Sequence, residues 1–363
     1  MAATTPPNQT GRGLVNLVSE LEQRLIGTAP SVGLDPDLAR FIPEATTFVF
    51  VLFDGLGADQ LDRLETREVA TSFVGSIDAP FPTTTTVSLA TIATGTSPAR
   101  HGLLAHALRI PALGTTVNTI HMRTVWGGEV EVPLGTFLPA PTLWQRLSNA
   151  GVEPIVVQPG NFTDTSLTKV LYRGARFEGY YSLEEAVTVT VDVASHPGRI
   201  VFLYVPFVDL AAHMHGQASR EYAEALSLAD TIWGRLCAAL DPGVAMVGTA
   251  DHGHTDIAPD RRVRLREAEE HDLHLYGDSR ALFVTGDPSR ILDRVPGVWI
   301  PRADLVPFWG PDPVDPEYAD RLPDGVLFPE PGWTVFARYM NDRLVGYHGG
   351  LTDPERQIPV LVR

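Results

Sequence analysis

TFVFVLFD, residues 47–54, is a continuous apolar run that ends in an aspartate. Two later runs have the same form: IVFLYVPFV at Ile200–Val208 precedes Asp209, and VAMVGTA at Val244–Ala250 precedes Asp251. Runs of Val, Phe and Leu without polar alternation are typical of parallel strands that are covered on both faces. The three runs therefore predict strands of one mostly parallel sheet.

The segments between these runs have helical patterns. The clearest is Ser219–Leu240, in which apolar residues recur at helical spacing behind a serine that can cap the helix. Strands that alternate with helices predict a doubly wound α/β sheet with helices on both faces, and such sheets bind ligands beyond the carboxyl ends of their strands. We therefore expect the three aspartates that follow the apolar runs to share a site.

Composition excludes several classes of protein. The chain has 363 residues and a net charge of −16, from 44 acidic and 28 basic residues. No stripe rich in Lys and Arg is present, so a nucleic acid polymer is not an expected partner. The arginines between Arg261 and Arg266 are followed directly by glutamates and indicate a solvated, mixed-charge segment. Small anionic substrates remain possible, because bound metal ions reverse the local potential of an acidic pocket.

The chain carries no sign of membrane insertion or export. It has no apolar run of about eighteen residues, and Met1–Arg12 lacks the apolar core of a secretory signal and is expected to be a frayed tail. The lone Cys237 excludes an intramolecular disulfide and is expected to pack on a helix. We therefore expect a cytoplasmic protein without membrane contact. The sequence predicts no oligomeric state.

The organisation predicted is one large domain with elaborations. Residues 1–40 form a tail and leading segment, and residues 41–363 form the catalytic domain. The stretch at about 256–333 is rich in Pro, Asp and Arg with weak periodicity, and we interpret it as a cap-like insertion near the site. A second irregular stretch, about Ile110–Leu138, is expected to be a hairpin or a lid.

Candidate metal ligands follow the predicted strands. Asp209 and His213 are four residues apart, so a helical turn places them on one face. Each feature alone is weak, since an aspartate after a strand is usually a cap or turn residue, but their joint occurrence is informative. A mixture of carboxylates and imidazoles suits Zn²⁺ or Mn²⁺ better than Ca²⁺. The candidate set is Asp54, Asp209, His213, Asp251, His252 and His348.

A candidate nucleophile lies in APFPTTTTVSLATIATG, which passes from a proline-broken loop into a predicted helix, Val87–Thr94. A hydroxyl at the start of that helix faces free backbone N–H groups that can hold phosphate oxygens. A threonine alcohol is a poor nucleophile at neutral pH and needs metal coordination. The alternative is that one residue of Thr83–Thr86 only caps the helix.

These motifs together resemble the nucleotide pyrophosphatase/phosphodiesterase branch of the alkaline phosphatase superfamily. The matching pieces, in the family's order, are VLFDGLG, FPTTTTVSLATIATGTSPARHGL, VPFVDLAAHMHG, TADHGH and GYHGG. The resemblance implies an alkaline-phosphatase-like α/β fold and a two-metal phosphoester hydrolase with a phospho-threonine intermediate. It implies two divalent ions, Zn²⁺ or alternatively Mn²⁺, one held by Asp209, His213 and His348 and the other by Asp54, Thr85, Asp251 and His252.

The family pattern Phe-Pro-Thr/Ser-x-Thr selects Thr85 as the nucleophile. Two departures concern the substrate. The family's usual aromatic residue after the nucleophile is Thr86 here, and its phosphate-binding Asn falls on His106, which either donates to the substrate or is a packed residue. Because these motifs supply no Arg or Lys clamp near the nucleophile that could neutralise a dianion, we expect diesters to be preferred over monoesters. Base stacking is expected to be weak unless the insertion supplies an aromatic such as Trp309 or Tyr276.

Three alternatives stay open. A phosphomonoesterase or a phosphonate hydrolase on the same scaffold shares the ligand set. A sulfatase is less well supported, because Cys237 is far from the nucleophile position. From a different class, the chain could be a non-catalytic module that binds metal or anions. Three further histidines near the motifs, His101, His215 and His254, are interpreted as structural residues or as supports of the ligands.

Overall fold

The computed structural model describes residues 4–130, 137–138 and 141–363. In this part of the chain the strands, in chain order, are β1 (Thr47–Phe53), β2 (Phe73–Asp78), β3 (Ala107–Ile110), β4 (Thr115–Asn118), β5 (Arg123–Thr124), β6 (Glu153–Pro159), β7 (Arg176–Tyr180), β8 (Arg199–Val205), β9 (Val244–Thr249), β10 (Thr255–Asp256), β11 (Arg262–Arg264), β12 (His274–Asp278), β13 (Ala281–Thr285), β14 (Gly297–Pro301), β15 (Gly325–Pro329), β16 (Thr334–Phe336), β17 (Gly346–Tyr347) and β18 (Gln357–Val362).

The α-helices of the same residues are α1 (Leu14–Ile26), α2 (Pro36–Ala39), α3 (Arg67–Thr71), α4 (Thr85–Thr94), α5 (Pro98–His101), α6 (Leu143–Asn149), α7 (Ser166–Leu171), α8 (Leu183–Ala194), α9 (Phe207–His215), α10 (Arg220–Ala239), α11 (Glu267–Glu270), α12 (Ser289–Leu292), α13 (Arg302–Leu305) and α14 (Asp353–Arg356). Helix α10 confirms the helix predicted at Ser219–Leu240, and the Ser219 side chain accepts a hydrogen bond from the N–H of Tyr222 as its cap.

The central sheet has the order β2-β18-β9-β1-β8-β6-β7. Strands β9, β1, β8, β6 and β7 are parallel, and only β18 runs antiparallel to its neighbours. Every residue of β1 is buried, as its unbroken apolar sequence predicts. This mostly parallel sheet between helices confirms the predicted α/β fold class.

One strand ends earlier than its apolar run. The run Ile200–Val208 predicts a strand that reaches Asp209, but β8 ends at Val205 and α9 begins at Phe207. Pro206 between them has no N–H to donate to a neighbouring strand and occupies the position before the helix. Asp209 therefore lies in the first turn of α9 rather than at a strand end.

A second, antiparallel sheet lies over the carboxyl edge of the first. Its order is β14-β15-β13-β12-β3-β4-β5, so the predicted insertion supplies four strands and the predicted hairpin region supplies three. The pairing of β3 with β4 and of β4 with β5 forms the hairpin expected at Ile110–Leu138, beginning at Ala107. Residues 131–136 of that stretch lie outside the described residues.

From residue 4 onward the N-terminal segment packs on the domain, so the prediction of a frayed tail at Met1–Arg12 is wrong for residues 4–12. The N–H of Asn8 donates to Asp78 at 2.7 Å, and Gln9 is buried. Helix α1 contacts α4 and α6, where buried Glu22 forms an ion pair with Arg146 at 2.6 Å. Residues 1–3 of the predicted tail lie outside the described residues. No helix in the described part of the chain is both long and apolar enough to span a membrane.

Candidate active site

A buried group of three ligands lies where β1 and β9 end. Asp54 follows β1, and Asp251 and His252 follow β9, its parallel neighbour. His252 Nε2 lies 3.3 Å from Asp251 Oδ2 and 3.7 Å from Asp54 Oδ1. All three side chains are buried, and Asp54 Oδ1 and Asp251 Oδ2 have no hydrogen-bond partner among the described residues. Two buried carboxylate oxygens without partners require a cation or a proton.

A second group of four ligands lies beside it and comes from three segments. Asp209 and His213 project from α9, His254 follows β9, and His348 follows β17. His254 Nε2 is 2.8 Å from Asp209 Oδ1, and His213 Nε2 is 3.3 Å from the same oxygen. His348 Nε2 lies 3.8 Å from that oxygen and 3.2 Å from His213 Nε2. The structure thus gathers all six predicted ligands other than Thr85, and adds His254.

The hydrogen bonds of the imidazoles fix which nitrogens face the centre. His213 Nδ1 donates to the carbonyl of Gly346 at 2.8 Å, and His348 Nδ1 donates to the carbonyl of Thr83 at 2.8 Å. A carbonyl only accepts, so in the neutral rings both protons are on Nδ1 and both Nε2 atoms present lone pairs. Two lone pairs 3.2 Å apart beside a carboxylate repel each other, and a divalent cation removes that repulsion. The donor set therefore fits a metal ion.

The electrostatics of the two groups differ. Burial, with the nearby charges of Asp251 and Asp209, holds the pKa of Asp54 well above its usual value. Burial also raises the pKa of Asp209, but the neighbouring imidazoles outweigh it and hold that pKa well below its usual value. Burial lowers the pKa of His254 to about 4 and that of His348 well below its usual value. Neutral imidazoles are the form that binds a metal.

Close backbone packing holds Asp54 and Asp209 together. Gly55 has a φ of +78°, and a Cβ at this position would lie 2.8 Å from the Cα of Asp209. The N–H of Gly55 donates to Asp251 Oδ1 at 3.0 Å, and the N–H of Asp209 donates to the carbonyl of Asp54 at 2.9 Å. A side chain at Gly55 would push these segments apart, so the turn after β1 depends on glycine.

Thr85 is the first residue of α4, two residues earlier than the helix predicted at Val87–Thr94. Its Oγ1 lies 3.1 Å from His252 Nε2, so the structure places the hydroxyl beside the first group of ligands. Thr84 occupies the cap position without a side-chain cap hydrogen bond. Thr83 Oγ1 instead donates to the carbonyl of Gly350 at 2.9 Å and accepts from the N–H of Gly349 at 3.0 Å, which ties this turn to the His348 loop.

A cavity of about 680 Å³ opens above Thr85. Its floor includes Thr85, Asp209, His213 and His348, and the second sheet forms its walls. His106 lines this cavity, and its Nε2 accepts from Asn118 Nδ2 at 3.2 Å. Burial, together with the nearby His121 and His213, lowers the pKa of His106 to about 4, so its ring is neutral at pH 7 and can contribute a hydrogen bond but no charge.

Thr86, which replaces the family's usual aromatic residue, and the two aromatics of the insertion lie away from the cavity. Thr86 is buried and its Oγ1 accepts a hydrogen bond from Thr119 at 3.0 Å, so it packs inside the fold. Trp309 and Tyr276 are also buried, and neither belongs to the described residues that line the cavity. Neither of these two aromatics is therefore placed to stack on a base in this cavity. The aromatic residues that do line the cavity are Tyr339 and Tyr347.

Sequence reasoning missed several residues that support the site. The hydroxyl of Tyr204 donates to Asp54 Oδ2. Glu355 accepts from the N–H of Gly350 at 2.9 Å and pairs with the buried guanidinium of Arg280. Arg123 lines the cavity, although it lies outside the recognised motifs. No motif marks them, since each reaches the site through strand pairing or a distant contact.

The remaining histidines and the cysteine lie in ordinary surroundings. His101 is buried and contacts Thr91 Oγ1 at 3.1 Å, and His215 is exposed at the end of α9. Neither belongs to the ligand groups found among the described residues. Cys237 is half-buried on α10 and packs against the core, as expected.

A parallel α/β sheet with two adjoining groups of carboxylate and imidazole ligands, and a hydroxyl beside them at a helix start, defines a metal-assisted phosphoester hydrolase of the alkaline phosphatase superfamily. The chain belongs to the type I phosphodiesterase / nucleotide pyrophosphatase family, whose model matches residues 48–351. It is a hydrolase of the phosphodiesterase/nucleotide pyrophosphatase type.

Solved structures share the fold at low sequence identity. An inactive variant of murine ectonucleotide pyrophosphatase / phosphodiesterase 5 in complex with AMP has a TM-score of 0.66 and 19% identity, with 86% of this chain and 87% of that chain covered. The human protein of the same name has a TM-score of 0.65 and 20% identity, with 87% of each chain covered. Phosphonoacetate hydrolase from Sinorhizobium meliloti in complex with phosphonoformate has a TM-score of 0.65 and 19% identity, with 88% and 91% covered. No curated protein sequence matches this chain significantly.

Proposed function

We propose that the chain hydrolyses small phosphodiesters through a covalent intermediate on Thr85, with two divalent ions, Zn²⁺ or alternatively Mn²⁺, as cofactors. The observation that carries the proposal is the position of the Thr85 hydroxyl, 3.1 Å from His252 at the start of α4 and at the floor of the cavity. Asp209, His213 and His348 would hold one ion, and Asp54, Thr85, Asp251 and His252 the other. Bound there, the ions supply Lewis-acid chemistry that lowers the pKa of coordinated oxygens and stabilises charge on phosphate.

Thr85, the first turn of α4 and His106 have separate roles in the proposed reaction. The Thr85 Oγ1 would give its proton to solvent and attack phosphorus, and the P–O bond to one ester arm breaks as the new O–P bond forms. That arm leaves as an alkoxide or phenolate, and an alkoxide takes up a proton from water. Water hydrolyses the phospho-threonine and regenerates the hydroxyl. The N–H groups of Thr85 and Thr86, in the first turn of α4, have no acceptor within the helix and face the equatorial oxygens of the substrate. His106 Nε2 accepts from Asn118 Nδ2, so the neutral ring would have its Nδ1–H to donate to the substrate.

A second candidate is phosphonate hydrolysis, which is favoured by the fold shared with phosphonoacetate hydrolase in complex with phosphonate ligands. We also propose that the chain is cytoplasmic, whichever of the two reactions it catalyses. Its single cysteine suits a reducing compartment.

The test compares bis(4-nitrophenyl) phosphate, 4-nitrophenyl phosphate and phosphonoacetate with added Zn²⁺ or Mn²⁺. We expect the diester to be cleaved faster than the monoester, and Thr85→Ala to reduce kcat by several orders of magnitude. Thr84→Ala is the matched control, because Thr84 lies at the cap without using its hydroxyl as a cap. Mass spectrometry of enzyme quenched in acid during turnover of the diester should detect a 4-nitrophenyl phosphate group on Thr85.

Three outcomes would overturn parts of the proposal. Full activity in Thr85→Ala would exclude Thr85 as the nucleophile. Faster cleavage of the monoester would assign the chain to the phosphomonoesterases. If phosphonoacetate releases phosphate while neither nitrophenyl substrate is cleaved, the chain would be assigned to the phosphonate hydrolases.

A further inference from the structure

One row of paired residues crosses the second sheet and faces the cavity. Gly277 of β12 pairs with Ala107 of β3, Ala107 pairs with Asn118 of β4, and Asn118 pairs with Arg123 of β5. Directly paired residues of an antiparallel sheet point to the same face. All four residues line the cavity above Thr85. The row therefore runs along the cavity wall and ends in a cation.

The members of this row differ in size and in free polar groups. Gly277 and Ala107 are small and leave the adjoining space open. The Asn118 amide is already used, because its Oδ1 accepts from the N–H groups of Ile120 and His121, each at 3.1 Å, and its Nδ2 contacts His106. Arg123 is exposed, and in the described part of the chain its guanidinium makes no ion pair and no hydrogen bond. Arg123 is thus the free hydrogen-bonding group of the row.

The charges around the cavity make this arginine unusual. Among the described lining residues it is the single Arg or Lys, in a chain of net charge −16. The acidic lining residues Asp209 and Asp278 form no ion pair with it, and neither does Glu129, which is bridged to Arg123 through the backbone. A planar guanidinium with free N–H groups is suited to a carboxylate or a phosphate, which it binds through two parallel hydrogen bonds.

We propose that Arg123 binds a second anionic group of the substrate, so that the preferred substrates are phosphoesters whose other arm carries a carboxylate or a further phosphate. This inference rests on the proposed function, since it places the reacting phosphorus at Thr85. Thr85 and Arg123 line the same cavity, so a substrate whose phosphorus lies at Thr85 can extend its second arm toward Arg123.

The test uses three nitrophenyl phosphodiesters that differ only in the second arm: butyl, 3-carboxypropyl and 3-phosphonopropyl. The butyl ester has no second anion, and the other two distinguish a carboxylate from a phosphorus-containing group. We expect the wild-type kcat/KM to be at least about tenfold higher for one or both charged esters, equivalent to about 1.4 kcal/mol. In Arg123→Gln this ratio should fall to within about twofold of unity, while cleavage of the butyl ester stays within about threefold of wild type.

The matched control is Arg109→Gln. Arg109 lies on β3 of the same sheet but lines a neighbouring cavity, so it should leave the ratio unchanged. A wild-type ratio near one, or a ratio that Arg123→Gln preserves, would overturn the inference. An equal loss in Arg109→Gln would also overturn it, because it would show general attraction rather than contact. Failure of the butyl ester to react at all would instead contradict the proposed function.

Discussion

Replacing Glu355 by Gln tests whether a buried ion pair holds the His348 loop. Arg280 and Glu355 are joined by two hydrogen bonds, of 3.0 and 2.8 Å, and their side chains are 1% and 0% exposed. Glu355 also accepts from the N–H of Gly350, two residues after His348. Removing the negative charge leaves the guanidinium buried without a counter-ion, which costs about 3–5 kcal/mol of unfolding free energy.

For a chain of 363 residues the unfolding entropy makes this cost a fall in Tm of about 4–7 °C. Calorimetry of metal-depleted protein measures it without a contribution from bound ions. Glu224→Gln is the control, because its ion pair with Arg220 is exposed on α10 and should contribute at most about 0.5 kcal/mol. Equal Tm values for Glu355→Gln and Glu224→Gln would show that the Arg280–Glu355 ion pair does not stabilise the fold.

Three further predictions follow from single residues. Burial raises the pKa of Glu355, but Arg280 and the hydrogen bonds to Glu355 outweigh burial and lower that pKa. The contribution of Glu355 to stability is therefore complete above its unfolded-state pKa of about 4.3 and is lost as pH falls through the lower folded-state pKa. Acid denaturation curves of wild type and Glu355→Gln should accordingly converge at low pH. Because the pKa of His106 is about 4, pH–rate profiles of wild type and His106→Gln should be parallel between about pH 5 and 8, and a change in shape there would contradict a neutral ring. Gly55→Ala should lower stability by about 1–3 kcal/mol more than Gly114→Ala, since both have positive φ but only Gly55 faces a close contact; equal costs in urea denaturation would contradict this.

The sequence predicts the carboxyl edge of the central sheet well, because each strand and the ligand that follows it are adjacent in the chain. The run at Thr47–Phe53 is apolar throughout because β1 is buried on both faces, and Asp54 must then lie at the carboxyl edge of the sheet. The same logic places Asp251 and His252. For β8 the predicted strand end, Val208, is three residues too late, because Pro206 ends the strand at Val205 within the apolar run.

The rest of the site depends on contacts between distant segments. Arg280 and Glu355 are 75 residues apart, and no sequence motif predicts that the two form an ion pair. The position of Arg123 follows from the register of three strand pairings, which the irregular sequence of the hairpin does not specify. The sequence Asp-His-Gly-His does not indicate which imidazole faces the centre. Only the folded geometry places His254 Nε2 at 2.8 Å from Asp209 Oδ1.

We expect the two ligand groups to hold two divalent ions beside Thr85. Equilibrium dialysis against Zn²⁺ followed by elemental mass spectrometry measures the number of ions per chain. We predict two for the wild type, and one each for His252→Ala and for His213→Ala, which remove one ligand from each group. One ion or none in the wild type, or two in both variants, would contradict the account.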